Sequence, residues 1–173
     1  MSFHSIPEFS FPMIVDRDSD TIKALKDALT THGFFTIIDH GIDDDLLSSS
    51  YSMSKKFFEL DEVTKNIYAH PEMGGARGYT PFGKETALGE TTPDMKEFWH
   101  HGPIIDESFD TRIASNINVA ELPEFNSQFD GLFDDLNLLG MKVLSAIAVI
   151  LHKEPNFFDD WVSKGNSLLR LLH

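Results

Sequence analysis

Apolar residues recur at helical spacing in three stretches of this chain and at strand spacing in several shorter ones. Between Thr21 and His32, Ile22, Leu25 and Leu29 share one face, Ser19 or Asp20 can cap the start, and Gly33 stands where a helix ends. The aromatic and β-branched run Phe34-Phe35-Thr36-Ile37-Ile38 predicts a strand, and Asp39-His40-Gly41 a turn. A second helix is expected from about Asp43, where Asp43-Asp44-Asp45 complements the positive end of its dipole. Its stripe reads Leu47, Tyr51, Ser54 and Phe58, widened by Leu46, Met53, Phe57 and Leu60. The third helix is predicted from Pro123 to about Leu151, with Phe125, Phe129, Leu132, Leu136, Leu139, Val143, Ile147 and Ile150 in register over roughly 43 Å.

Shorter elements fill the gaps. Ile6-Pro7-Glu8-Phe9 is a brief extended segment that Pro7 confines to an edge or a lead-in. Gly74, Gly75, Gly78, Gly83 and Gly89, with Pro71, Pro81 and Pro93, predict a loop-rich stretch between His70 and Pro93 that passes over a ligand or another backbone. Lys96 to His101 predicts a strand leaving it, and Asn156 to Lys164 allows one short helix. The apolar run Ser167–His173 then predicts a core strand with no turn or cap after it, so the chain is expected to be the front part of a larger protein.

Composition narrows the function. With 41% hydrophobic residues among 173, the chain can build a real core. Fourteen Lys+Arg against 28 Asp+Glu, a formal charge of -14, argue against nucleic acid or an anionic membrane held through a general basic surface. The absence of cysteine excludes disulfides, Cys-ligated metal and a thiol nucleophile. Met1 to Ser5 lack the basic start of a signal peptide, and the apolar stretch near Val143–Leu151 is too short to span a bilayer, so a cytoplasmic setting is expected.

Histidines and carboxylates remain as candidate chemistry. His70-Pro71-Glu72 has the His-x-Asp/Glu spacing of an iron-ligand pair, but Pro71 and its glycine neighbours place it in a loop, and it is read as loop structure. His100 and His101 are adjacent in a predicted strand and point to opposite faces, so at most one serves any given site. His40 is expected to bond local backbone. No Gly-x-Ser-x-Gly elbow occurs, and Gly74-Gly75-Ala76-Arg77-Gly78 lacks the Gly-Lys-Ser/Thr of a phosphate loop. The residues by themselves thus give an acidic, cysteine-free α+β chain with no complete active site.

Four blocks in order carry the reading further: Ile6-Pro7, the segment Gly33–Ile42, then Arg77-Gly78-Tyr79-Thr80-Pro81 followed by Asp94–Trp99, and finally Ser167–His173. Together they resemble the isopenicillin-N-synthase-like family of non-haem Fe(II) and 2-oxoglutarate-dependent dioxygenases. The resemblance implies an α+β fold in which an N-terminal helical and mixed region packs on a double-stranded β-helix, or jelly-roll. Residues 1–118 would form that N-terminal region, and 119–173 the long helix and the start of the catalytic domain. The family's His-x-Asp pair, distal His and Arg-x-Ser clamp are expected after His173, which leaves the barrel truncated and this chain without metal or catalytic residues of its own.

What the resemblance implies for the complete enzyme is an oxidoreductase that uses Fe(II) and 2-oxoglutarate to hydroxylate or otherwise oxidise a small molecule. The chain alone is expected to be inactive and to bind neither cofactor tightly. Arg77 and Tyr79 match a loop that passes the substrate entrance in relatives, with a glycine-flexed surface loop as the alternative. Arg170 and Leu172 share one face of the last strand and would point into the barrel, where Arg170 meets a carboxylate of substrate or cosubstrate or forms a structural ion pair. Phe98 and Trp99 alternate across the strand, so one is core and the other a candidate pocket wall, with core packing the preferred reading for both. Two further readings stay open: an isopenicillin-N-synthase-type oxidase without 2-oxoglutarate, and a truncated interaction module that self-associates through its last strand.

Overall fold

A computed structural model describes residues 5–86, 89 and 91–173. The start Met1–His4, which bears on the absence of a signal peptide, and residues 87, 88 and 90 of the glycine-rich stretch lie outside the described residues. The elements are mixed helix and strand, and they separate into two compact units, residues up to Ile42 with Leu136–Ser163, and Asp43–Asp135 with Lys164–His173. No helix among the described residues is long and apolar enough to cross a membrane.

In the first unit, β1 (Glu8–Ser10) pairs in parallel with β2 (Thr36–Ile38), Phe9 opposite Ile37. Phe34 and Phe35, expected in the strand, precede it, because β1 offers only three residues to pair with. A helix α1 (Phe11–Asp16), which the periodicity does not predict, carries Pro12 in its first turn, where a missing N–H is no loss. It stops at Arg17 in the left-handed region, φ +55°. Helix α2 (Ser19–Thr31) is capped by Asp18, which accepts from Thr21 N–H at 2.9 Å, and not by Ser19 or Asp20. Those two already have helical backbone, whereas Asp18, at φ -50° and ψ 133°, lies outside the helix with its carboxylate free to turn back. Gly33, φ +79°, ends the helix as expected by donating to Ala28 C=O. Phe9, Ile14, Leu25, Ala28 and Ala146 form the core.

In the second unit, α3 (Asp44–Phe58) has Asp43 at its cap, Asp44 and Asp45 in the first turn and Lys55 and Lys56 in the last, matching its dipole. Its buried face carries Ser50, Phe57 and Phe58, while Tyr51, placed in the stripe by the sequence, is 79% exposed. A short α4 (Glu62–Ile67), capped by Asp61, likewise lies outside the predicted elements. The face of α3 turns because Gln128 Nε2 donates to Ser50 Oγ at 2.9 Å and Ser49 Oγ at 2.8 Å, drawing α5 (Phe125–Ile150) onto small polar residues. Helix α5 begins two residues after Pro123, which sits in a turn closed by Phe125 N–H to Leu122 C=O.

The sheet of this unit is antiparallel in the order β3 (Gly78–Thr80), β4 (Phe98–His101), β5 (Leu169–Leu172). Gly78 adopts φ +79°, and a Cβ there would lie 2.5 Å from Tyr68 C=O and 2.7 Å from Ile117 Cδ1, so only glycine lets β3 pass. Phe57, Trp99 and Phe125 form the centre of an aromatic interior, with centroids 4.9 Å apart for Phe57–Trp99 and Trp99–Phe125. Phe129 extends it, 4.7 Å from Phe125.

Candidate functional site

Strand alternation sends Trp99 into the aromatic interior and Phe98 and His100 to the opposite face of the sheet. On that face lies a cleft of about 750 Å³, walled by His70, the glycine turn at Gly74 and Gly75, Glu85, Phe98, His100 and Arg170. Phe98, 2% exposed, is packed as core and also walls the cleft, whereas Trp99 is core alone. The Arg170 guanidinium lies over the Phe98 ring at 4.2 Å. Its Nε donates to His100 Nε2 at 2.8 Å, and its Nη2 to Glu85 Oε1 at 3.3 Å. Glu85 is also paired with Lys96 at 2.9 Å, and that bond first, with the Arg170 charge, holds its carboxyl below the usual range.

Beneath the cleft, Glu97 is buried yet fully engaged. One oxygen accepts from Lys65 Nζ at 2.7 Å and from the Tyr79 hydroxyl; the other accepts from His173 Nδ1 at 2.9 Å. Burial alone would raise the Glu97 carboxyl, but these three donors hold it below its ordinary value. Burial, then the Glu97 carboxylate, pushes the Tyr79 hydroxyl far upward, so it stays protonated and donates. The pair Lys65–Glu97 ties α4 to the residue just before β4, and the His173–Glu97 backbone bonds at 3.0 Å close the β4–β5 ladder.

Arg77 is 1% exposed. Its Nη1 donates to Ala76 C=O at 2.6 Å, while Nε and Nη2 are buried without a partner among the described residues. The guanidinium occupies the space where a Cβ of Gly102 would be, and burial lowers its pKa. The surface-loop reading of Arg77 and Tyr79 fails, since both side chains are buried. Arg170 and Leu172 share a face as expected and are exposed, at 40% and 62%; the Arg170 ion pair with Glu85 is thus partly solvated.

The histidines divide as their strand positions require. His100 faces the cleft, and His101 faces inward, donating Nε2–H to Asp130 at 2.7 Å. Burial lowers both below the ordinary 6.5, against Asp130 in the case of His101. His70 Nδ1 donates to Glu72 at 2.7 Å in the loop, and His40 Nδ1 accepts from Ile42 N–H at 3.1 Å, a local backbone bond as expected. Among the described residues, no three His, Asp or Glu side chains are placed to hold a metal ion. Sequence reasoning gave no site role to Glu85 or to the Glu97–Lys65 pair, and did not single out His100 over His101 as the one in the cleft. The one available signal was a carboxylate in an otherwise aromatic strand, Lys96-Glu97-Phe98-Trp99.

The similarities to known proteins fall in one direction. The family described as the N-terminal region of non-haem dioxygenases in morphine synthesis matches residues 6–121. A 2OG-Fe(II) oxygenase family protein from Caulobacter crescentus superimposes with a TM-score of 0.84 and 38% identity, over 97% of this chain and 55% of that one. A full-length Neurospora crassa protein, solved in complex with alpha-KG, gives 0.80 and 29%, over 96% and 53%. A 2-oxoglutarate-Fe(II) type oxidoreductase of Metarhizium rileyi is 29% identical over 163 residues, 87% of this chain and 45% of that one. The chain spans about half the length of the curated relatives it matches.

Proposed function

The chain belongs to the non-haem dioxygenase family through the N-terminal region it matches, and on that premise we propose that it forms the substrate-side part of an Fe(II)/2-oxoglutarate-dependent oxidoreductase acting on a small molecule. The cleft on the β3–β4–β5 sheet is the observation that carries this reading: it joins a cation, an aromatic face and a neutral imidazole in a volume suited to a small organic ligand. Arg170 is the proposed carboxylate contact and Leu172 a neighbouring apolar one. Tyr79 lines the cleft beside them, and buried Arg77 supports its wall. In the whole protein the sheet is proposed to continue into the double-stranded β-helix, with residues 1–118 as the N-terminal region.

The described residues do not fit an iron centre. His70 is spent on Glu72 and His101 on Asp130, and no third ligand joins either pair. We therefore propose that the iron ligands come from outside this chain and expect no turnover from the 173-residue chain alone. Succinate formation from 2-oxoglutarate, measured with Fe(II) and a panel of small-molecule acids, tests both statements. A protein encompassing the full length of its relatives should release succinate and the 173-residue chain should not. Release by the short chain, or none by the long one, would overturn the corresponding half.

A second reading rests on the exposed apolar side chains Leu168 and Leu172 beside edge strand β5, which suit strand-mediated association. Sedimentation of the 173-residue chain distinguishes it: a monomer at all concentrations would remove the interaction-module reading.

A further inference from the structure

His100 is bonded at both ring nitrogens, and the two bonds fix its protonation. Gly75 C=O can only accept, so His100 Nδ1, 2.6 Å away, carries a proton. Arg170 Nε can only donate, so His100 Nε2, 2.8 Å away, presents its lone pair. The neutral Nδ1–H tautomer alone satisfies both. Phe98 lies under the pair, 4.8 Å from the His100 ring and 4.2 Å from the guanidinium. One edge and one face of Arg170 are thereby fixed. Nη2 reaches Glu85 at 3.3 Å, and Nη1 has no protein partner among the described residues.

We propose that His100 is a positioning residue for Arg170: as a neutral imidazole anchored on Gly75, it holds the guanidinium so that its Nη end faces the cleft for a carboxylate. The inference rests on the reading of Arg170 as a substrate contact. Glu85 already supplies a carboxylate at that end, which shows the end is accessible to one. A ligand carboxylate that displaces Glu85 does not strand it, because Lys96 remains paired with Glu85 at 2.9 Å. The exchange therefore trades one charge-assisted bond for another.

The charged groups around His100 are Arg170 on β5, Arg77 ahead of β3 and Glu85 on the loop after β3. Two of the three are cations. Protonation of Nε2 would set an N–H against the Arg170 N–H and add a positive charge beside both arginines. Arg170 is accordingly released as the pH falls through the lowered value of His100, and held at neutral pH and above.

Nitrogen-15 NMR of the 173-residue chain tests this without turnover, the Arg170 signal being identified by its loss in Arg170→Lys. At neutral pH, His100 Nδ1 should be protonated and Nε2 bare. The Arg170 Nε–H should exchange at least about tenfold more slowly than in free arginine, as one bond to a charged donor implies. His100→Gln, whose amide oxygen still accepts, should keep most of that protection, and His100→Leu should lose it. Acidification of the unsubstituted chain should reproduce the loss, which covers the case of a poorly folded His100→Leu. A protonated Nε2 at neutral pH, or protection unchanged by both His100→Leu and acid, would overturn the proposal. Propionate separates it from the reading beneath it: propionate that leaves the Arg170 and Glu85 signals unmoved sinks the substrate contact, while the tautomer and the exchange rates still decide the positioning role.

Discussion

Around Leu25 the core cluster is Phe9, Ile14, Ala28 and Ala146, with Thr21 one turn away on α2 as a buried hydroxyl, whereas around Trp99 the interior is aromatic and also buries the ionisable Lys65, Arg77, Glu97, His100 and His101. Apolar burial is non-directional, so the Leu25 cluster should accept volume-conserving apolar exchanges at small cost. Buried polar groups need partners at fixed distances, so the second unit specifies one arrangement and suffers when a single member is removed. The cleft lies in the second unit, where Arg170, His100 and Glu85 are held by bonds of the same directional kind. Packing thus suffices for the Leu25 cluster, whereas the second unit adds hydrogen-bond geometry to its packed aromatic core.

Removing a charge from the Trp99 unit should have the largest effect. Glu97→Ala strips Lys65, Tyr79 and His173 of their shared acceptor and leaves a buried ammonium, at a cost of about 3–5 kcal/mol in urea unfolding. The double substitution Lys65→Met with Glu97→Leu should cost much less, because no charge is stranded. If the double costs as much as the single, the contrast between the units is one of volume and not of charge.

The matching change in the other unit is smaller and follows cavity size. Leu25→Ala should cost about 3 kcal/mol and Leu25→Met less than about 1.5 kcal/mol, read by hydrogen exchange along α2. A costly Leu25→Met would show that this core is also shape-specific.

Acid should separate the units next. His100 and His101 are both lowered from 6.5 by burial, so the unfolded chain binds protons first as the pH falls. Their contribution is complete above about pH 6.5 and is lost as the pH falls from there through the lowered folded values. Urea midpoints followed by Trp99 fluorescence in Trp161→Phe should therefore fall below that pH, and in His100→Gln with His101→Gln the fall should flatten. No residue of the Leu25 cluster titrates, so exchange protection there should change little over the same range.

The smallest effect belongs to the surface. Lys55 and Glu59 are 3.7 Å apart and both largely exposed, so Lys55→Ala should change stability by no more than about 0.5 kcal/mol, and high salt should erase the difference.

Much of the fold is legible in the chain. The helices ending at Gly33 and spanning Phe125–Ile150, the strand at Phe98–His101 and the last strand at Leu169–Leu172 follow from spacing, caps and breakers, which are local. Helices α1 and α4 escape notice because six residues make too short a period to detect. The buried face of α3 departs from its apolar stripe at Tyr51 because Ser50, polar by composition, is buried by its bond to Gln128 far along the chain. For the site, alternation correctly separates His100 from His101 and groups Arg170 with Leu172. It gives no notice that Arg170 meets His100 and Glu85, since those bonds join residues 70 and 85 positions apart.

Helix and strand segments, the acidic cysteine-free character and the family blocks are readable from the chain, because propensity, capping and periodicity depend on near neighbours. Which polar groups are buried together follows from packing between distant segments. That packing sets the Glu97–Lys65 pair, the burial of Arg77 against Gly102 and the neutral tautomer of His100, each of which depends on distances between strands and loops that no local pattern encodes.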